Sequence, residues 1–286
     1  MPTPRLRPMQ PRDLEPAVAG ILADDWGDRR AWFAFTLRHP ECRPIVAELE
    51  GEVVGTGVTT ISGGVAWIGT IWVASRIRRL GIGRALTEAT LDAAEAAGCR
   101  TQVLVATQTG RPLYERLGFE VAATYVTMEA PGRGRTTAAS DTGAGVRVRA
   151  WRPSDGVEGL AALDRRATGE DRAHLLHAFV ERTTTRVVTA ADGATVRGFL
   201  VRPPWGGGAA IALDDDDALA LLEARRDAYP SDRQVRCGIL AHNQDGRERL
   251  EAAGWTEAWR APRLHRGAPL AWTPAAIWGQ FNHALG

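Results

Sequence analysis

The sequence predicts an α/β (α+β) chain of two similar domains in tandem, each a mixed, mostly antiparallel twisted sheet flanked by helices. Three observations carry this. The chain has 286 residues, which average domain sizes divide into about two domains. Apolar strand-length runs alternate with helical periodicity in the same order in both halves. Residues 131–145, rich in Gly, Thr and Ala without apolar periodicity, read as a linker between a domain over 1–130 and another over 146–286.

In the first half, Pro11-Arg-Asp13 starts a helix that runs to about Ala23. A second helical stretch around Arg29–Arg38 carries Trp32, Phe33 and Phe35. Strands follow at Ile45–Leu49, Val53–Ile61 and Val65–Ala74, with Glu50-Gly51 and Gly63-Gly64 as the turns between them. Trp67 and Trp72 fall out of phase on one strand and are expected on opposite faces. Ile82–Ala97 is strongly helical, with Leu86, Ala89, Leu91 and Ala93 as core candidates and Gly98 as its stop. Thr101–Ala106 reads as a strand, Arg111–Leu117 as a short helix ending at Gly118, and Phe119–Met128 as a closing strand.

The second half echoes the first. Arg149…Asp155 repeats the pattern of Arg7…Asp13, and Gln244–Trp255 aligns without gaps to Gln108–Phe119, sharing Gln, Gly, Arg, Glu and Gly at the same offsets. The last segment, Trp272–Leu285, has aromatics at helical spacing and is expected to dock as a short helix.

Composition narrows the chemistry. Hydrophobic residues make up 44% and charged residues 24%, as in a soluble globular protein. All 35 basic residues are arginine, which excludes lysine Schiff bases and the phosphate-loop lysine. The formal charge of +1 argues against a nucleic-acid partner. No apolar run approaches the roughly 18–20 residues of a membrane span, and the N-terminal residues lack the apolar stretch of a secretory signal. Cys42, Cys99 and Cys237 stand far apart and read as reduced, buried thiols, so a cytoplasmic location is expected. His39, His174, His177, His242, His265 and His283 assemble no metal-ligand pattern, and no metal is expected.

The most informative segment runs from Thr70 to Leu86. A strand passes into Arg78-Arg79-Leu80-Gly81-Ile82-Gly83-Arg84 and then into the long helix. Glycines at alternate positions let the backbone approach a ligand, and the helix start offers outward N–H groups and positive potential. Arg78, Arg79 and Arg84 add charge, so the segment suits a pyrophosphate held without lysine. In the second half the corresponding place holds Asp214-Asp-Asp-Asp217, which would repel such an anion.

Arg78-x-x-Gly81-x-Gly83 resembles the acetyl-coenzyme A signature of the GCN5-related N-acetyltransferases (GNAT). Gly110-Arg-Pro-Leu-Tyr114-Glu-Arg-Leu-Gly118-Phe119 is similar to that family's tyrosine-bearing helix. The resemblance covers roughly residues 5–130. Residues 146–286 resemble a degenerate accessory domain of two-domain members, with Leu250 where the first half has Tyr114. The resemblance implies acetyl-CoA as cosubstrate and direct transfer of acetyl to the primary amine of a small-molecule or amino-acid-like acceptor. It implies that the backbone of Ile71, Trp72 and Val73 pairs with the pantetheine arm where the sheet splays from Val103–Val105. The segment Arg78, Arg79, Leu80, Gly81, Ile82, Gly83 and Arg84 holds the pyrophosphate, Thr107 and Arg111 complete the cofactor contacts, and Tyr114 protonates the departing thiolate.

No general base stands on the strand Val65–Ala74. Asp24, Asp25, His39 and Glu41 lie in or after the early helices, which in the resembled fold shape the acceptor site, and Trp26, Trp32, Phe33 and Phe35 divide between acceptor pocket and core. Two alternatives stay open: a non-catalytic acyl-CoA sensor, and a protein or peptide N-acetyltransferase. The oligomeric state is left at monomer or homodimer.

Overall fold

The computed structural model describes residues 4–135 and 147–286; residues 136–145 of the expected linker lie outside the described residues. Contacts group the chain into unit 1, Met1–Glu120 with Leu264–Ala268 and His283–Leu285, and unit 2, Val121–Arg263 with Pro269–Asn282 and Gly286. The first half of the sequence therefore gives its closing strand to unit 2. Two segments of the second half return to unit 1.

Unit 1 begins with β1 (Arg5–Pro8), α1 (Leu14–Ala23) and α2 (Arg30–Thr36). Then come β2 (Cys42–Leu49), β3 (Glu52–Ser62), β4 (Val65–Val73), α3 (Ile82–Ala96), β5 (Thr101–Val105) and α4 (Arg111–Arg116). Its strands lie in the order β1-β2-β3-β4-β5. The first four pair antiparallel, and β4 and β5 run parallel across the α3 crossover.

Glycines set how closely α3 lies on this sheet. A Cβ on Gly55 would stand 2.8 Å from Leu86 Cδ1 and 2.9 Å from the Trp72 carbonyl oxygen; one on Gly57 would stand 3.0 Å from Thr90 Cγ2. Thr59 Oγ1 completes the contact by donating to the Thr90 carbonyl at 2.9 Å inside the core. The sheet is thus shaved down on one face to admit the helix, and the helix start is carried to the end of β4.

Unit 2 holds β6 (Glu120–Pro131), β7 (Arg147–Ala150), α5 (Glu158–Thr168), α6 (Ala173–Phe179), β8 (Arg186–Thr189), β9 (Val196–Val201) and β10 (Ala209–Ala212). It continues with α7 (Asp215–Ala228), β11 (Gln234–Leu240), α8 (Gln244–Ala252), β12 (Thr256–Gly267, in unit 2 as far as Arg263) and β13 (Ile277–Gly279). One sheet has the order β13-β10-β9-β8-β7 and is antiparallel throughout. β6 pairs antiparallel with β11 over seven residues. Leu221, Leu222, Val235, Ile239, Leu250 and Trp278 lie at the centre of its core.

The sequence echo is a structural repeat. Arg7 grips Asp13 through two bonds of 2.6 and 2.8 Å, and Asp13 also accepts from the Gln10 amide at 2.7 Å. Arg149 grips Asp155 through two bonds of 2.7 Å, and Asp155 accepts from the Arg152 amide at 2.7 Å. In each pair the hydrogen-bonding guanidinium holds the carboxyl below its ordinary value. Downstream, the Phe119 amide donates to the Tyr114 carbonyl and the Trp255 amide to the Leu250 carbonyl, around Gly118 and Gly254 at φ of 85° and 84°.

Two expectations are corrected. Trp67 and Trp72 share a face, because a bulge sets Thr70 and Ile71 opposite Gly57 and shifts the phase of β4; the indoles stand beside Thr60 and Thr56 respectively. Trp272–Leu285 is not a helix. It forms a 3-10 turn at Pro274–Ala276 and the strand β13, which pairs with β10, with Trp278 and Phe281 fully buried. Pro274 and Gly279 break the helical periodicity, and the open edge of β10 offers ladder bonds in its place.

The Gly55 contact yields a test. Gly55→Ala forces a Cβ into a filled site and is expected to lower stability by about 1–3 kcal/mol, read as a lower urea midpoint at unchanged slope. An unchanged midpoint would contradict the close approach of α3.

Candidate functional site

The parallel ladder between β4 and β5 ends at Trp67–Val103, although β4 continues to Val73. Beyond that point the two strands diverge around the β4 bulge. Thr70 takes φ +54°, a conformation a β-branched residue adopts only when its surroundings enforce it. Here Thr56 Oγ1 donates to the Thr70 carbonyl at 2.8 Å and Trp32 Nε1 donates to Thr70 Oγ1 at 3.0 Å. Ile68, Leu104, Ala106 and Phe119 form the apolar floor of the divergence, with Ile71 and Tyr114 packed against it.

At the end of β4 the chain makes one 3-10 turn, Ser75–Ile77, and enters the predicted cradle. Arg79 has φ +69° and Gly81 φ +81°. Gly81 is the residue before α3 and supplies no side-chain cap, and the first turn holds no acidic residue. The first helical bond runs from the Ala85 amide to the Gly81 carbonyl, so the amides of Ile82, Gly83 and Arg84 point outward from a 15-residue helix. A Cβ at Gly81 would meet nothing within 4 Å, and one at Gly83 would meet Val73 only at 3.7 Å. The chain's own packing therefore does not require glycine at 83, whereas the left-handed φ requires it at 81.

Asp24, at the end of α1, holds this loop in place. Its Oδ2 accepts from Trp72 Nε1 at 2.9 Å, from the Ser75 amide at 3.2 Å and from Arg78 Nη2 at 2.6 Å. Burial pushes this carboxyl up, but the bonds from Trp72 and Ser75 and the charge of Arg78 outweigh it and hold it below the ordinary carboxylate value. Arg78 also donates through Nε to the Val73 carbonyl at 2.9 Å. The Arg78 side chain is thus tied to Asp24 and Val73 through Nη2 and Nε while 48% of it remains exposed. Arg84 lies along the helix beside Glu88 at 2.8 Å, and Arg111 beside Glu115 at 2.7 Å, both exposed. Leu80 is 55% exposed.

Tyr114 sits on α4, which begins after Thr107 accepts the Gly110 amide on Oγ1 at 3.1 Å. Its ring meets Phe119 edge-on at 6.1 Å, and burial pushes the phenol up to about 12. The phenol stays protonated across the physiological range.

Among the early-helix candidates, Asp24 is committed to the loop, Asp25 occupies a left-handed turn position at φ 58°, and His39 stacks on Phe35 at 4.7 Å while its Nδ1 accepts the Glu41 amide at 3.2 Å. Trp32 and Phe33 are core residues.

The residue sequence reasoning missed is His283. His283–Leu285 belongs to unit 1, and Ala284 lies so close to β4 that a Cβ on Gly69 would stand 2.2 Å from its own Cβ. Gly69 pairs with Val58, on the same face of the sheet as Trp67 and Trp72. Burial, reinforced by the charge of Arg29, pushes the His283 imidazole down to about 4. The available signal was a glycine inside an otherwise bulky apolar strand, which marks a close backbone approach.

The acetyltransferase (GNAT) family pattern matches residues 10–119, and an acetyltransferase (GNAT) domain pattern matches residues 160–278. This chain belongs to the GNAT family. It carries two acetyltransferase-like domains in tandem, and family membership brings acetyl-CoA-dependent acetyl transfer as its class of activity. Among solved structures, a putative acetyltransferase from Pyrococcus horikoshii is similar at 22% identity and TM-score 0.81, over 99% of this chain and 96% of that one. A tandem GNAT protein from the clavulanic acid biosynthesis pathway is similar at 14% identity and TM-score 0.64, over 93% and 99%. A GCN5-related N-acetyltransferase from Sphaerobacter thermophilus is similar at 16% identity and TM-score 0.61, over 94% and 98%. These likenesses concern the fold. No curated protein matches the sequence.

The half-buried His283 imidazole makes a pH prediction. An unfolded His283 titrates near 6.5 and the folded one at about 4, so the unfolded state binds more protons between these values and stability falls as pH drops through them. Relative to His283→Gln, the wild-type protein is expected to lose about 3 kcal/mol between pH 7 and pH 4. Parallel stability curves for the two proteins would contradict the burial.

Proposed function

We propose that unit 1 transfers acetyl from acetyl-CoA directly to the primary amine of a small molecule or amino-acid-like acceptor. The observation that carries this reading is the uncapped start of α3, opening from a left-handed glycine with free space beside it, at the end of a strand that has parted from its parallel neighbour. An anion held by backbone N–H groups fits there, and the divergence leaves room for an extended arm beside Ile71, Trp72 and Val73.

Acetyl-CoA supplies the acetyl group as a thioester open to attack by an amine. The amides of Ile82, Gly83 and Arg84, with the backbone of Arg79, Leu80 and Gly81, bind the pyrophosphate. The Arg84 guanidinium can leave Glu88 for it at small loss, because an exposed pair of this kind contributes only ~0.5 kcal/mol. Thr107 and Arg111 flank the arm from the start of α4. Tyr114 keeps its proton on Oη, as its raised pKa ensures, and delivers it to the sulfur as the carbon–sulfur bond breaks. Arg78 acts behind the cradle, holding Asp24 and β4 in register.

We assign acetyl-CoA to unit 1 alone. At the equivalent helix of unit 2, Asp214 Oδ1 accepts the amides of Asp216 and Asp217 at 3.0 and 3.2 Å, so the helix start is already capped by a carboxylate. Leu250 there has no proton to give. A second reading, a non-catalytic acyl-CoA sensor, is favoured by one observation: Asp24, the acidic side chain bonded to the end of β4, takes three structural bonds on its Oδ2. A neutral fraction of the amine then has to serve without a base.

Tyr114→Phe is expected to lower kcat by about 100-fold with the KM for acetyl-CoA nearly unchanged, read by thiol release against a panel of small amines. Gly81→Ala is expected to weaken acetyl-CoA binding about tenfold, because alanine resists the left-handed φ. An unchanged kcat in Tyr114→Phe would remove the acid role. Binding without turnover on any amine would favour the sensor.

A further inference from the structure

Unit 2 contains a pair of arginines that its own carboxylates leave unneutralised. Arg225, in the last turn of α7, is 9% exposed. Arg202 follows the end of β9, and both side chains converge on Gly208: a Cβ there would lie 3.2 Å from Arg202 Cγ and 3.6 Å from Arg225 Nη1. Among the described residues, the Nε of each is buried without a hydrogen-bond partner, and neither guanidinium has a carboxylate within 4.0 Å. The other deeply buried arginines of unit 2 are matched: Arg172 with Asp164 at 2.6 Å and Arg263 with Glu170 at 3.2 Å.

A buried guanidinium beside a second, half-buried one is poorly solvated and repelled, so the fold keeps Arg225 charged at a loss unless something supplies negative charge. Burial first, then the charge of Arg202, pushes Arg225 down to about 10. The neighbouring Cys237 offers no anion, since burial pushes its thiol up to about 12. Tyr229 contributes only its ring, over which the Arg202 guanidinium lies 5.5 Å from the centroid. The end of α7 supplies at most the ~0.5 negative charge of a helix C-terminus, shared by two cations.

The surroundings have the form of a built site. The turn Gly206-Gly207-Gly208 takes φ of 93°, 75° and 152°, and it is anchored by the Gly208 amide donating to the Gln280 carbonyl at 3.1 Å. A side chain at 208 would press on the Val201 carbonyl at 3.1 Å and on Arg202 Cγ at 3.2 Å, so glycine there lets both arginines close on the turn. Planar guanidiniums in this arrangement match the oxygens of a phosphoryl or carboxylate group through paired N–H bonds.

We propose that unit 2 binds a small oxyanion, a phosphoryl or carboxylate group, between Arg202 and Arg225 at the Gly206–Gly208 turn. This site is separate from the α3 cradle of unit 1 and does not depend on the acetyltransferase reading.

The test is thermal unfolding of the full chain in inorganic phosphate, in acetate, and in sodium chloride at matched ionic strength. At saturating anion the wild-type protein is expected to unfold about 3 °C higher in phosphate or in acetate than in chloride, and the more effective anion identifies the class. In the Gly81→Ala background, where the unit 1 cradle is weakened, the increment is expected to persist, and to vanish when Arg225→Met or Arg202→Met is added. In chloride alone, Arg225→Met is expected to unfold no lower than wild type, because it removes the repulsion and keeps the apolar stem. Coincident wild-type curves in all three salts would overturn the proposal. So would an increment that persists in both methionine variants of the Gly81→Ala protein, or one that Gly81→Ala abolishes.

Discussion

The start of α3 is the constraint on which unit 1 depends. A 15-residue helix begins there with no side chain capping its first amides and no carboxylate in its first turn. That leaves unsatisfied donors whose natural partner is an anion. Everything adjoining the helix start works to hold it where it is. Gly55 and Gly57 let the helix body press onto the sheet, and Thr59 bonds its backbone. Asp24 ties the loop to Trp72 from behind through three bonds that focus on one oxygen. The Thr70 bulge turns β4 away from β5 at the place the loop departs.

Unit 2 shows the same architecture finished differently. The Arg149–Asp155 grip and the turn around Gly254 reproduce the framework of unit 1 bond for bond. At its equivalent helix, however, Asp214 supplies the cap that Gly81 withholds. The two units therefore differ less in fold than in whether one helix start is closed from within. Unmet charge in unit 2 lies elsewhere, at Arg202 and Arg225, where two cations share no carboxylate among the described residues.

What the sequence disclosed divides by distance along the chain. Strands β2 to β5 and helices α1 to α4 of unit 1 were legible because turn chemistry and periodicity act over a few residues, whereas the four-residue strand β1 and the left-handed φ of Gly81 were not. The Arg7–Asp13 grip was legible as a repeated pattern, since its spacing recurs at Arg149–Asp155. The partner of Arg78 was not legible: it is Asp24, 54 positions away, and only the fold brings it near. The shared face of Trp67 and Trp72 depends on a single bulged residue pair that alternation cannot reveal. The placement of His283 against the far end of the sequence, beside Arg29 and Gly69, follows from long-range packing alone, although Gly69 within an apolar strand hinted at a close neighbour.

The lysine-free composition fits a cradle made of backbone amides, and that cradle is the account's central claim. Isothermal titration of the full chain with acetyl-CoA tests it most directly, through its stoichiometry. One site per chain is the predicted result, because the start of α7, at the equivalent place in unit 2, is capped by Asp214. Two sites per chain, or none, would contradict it.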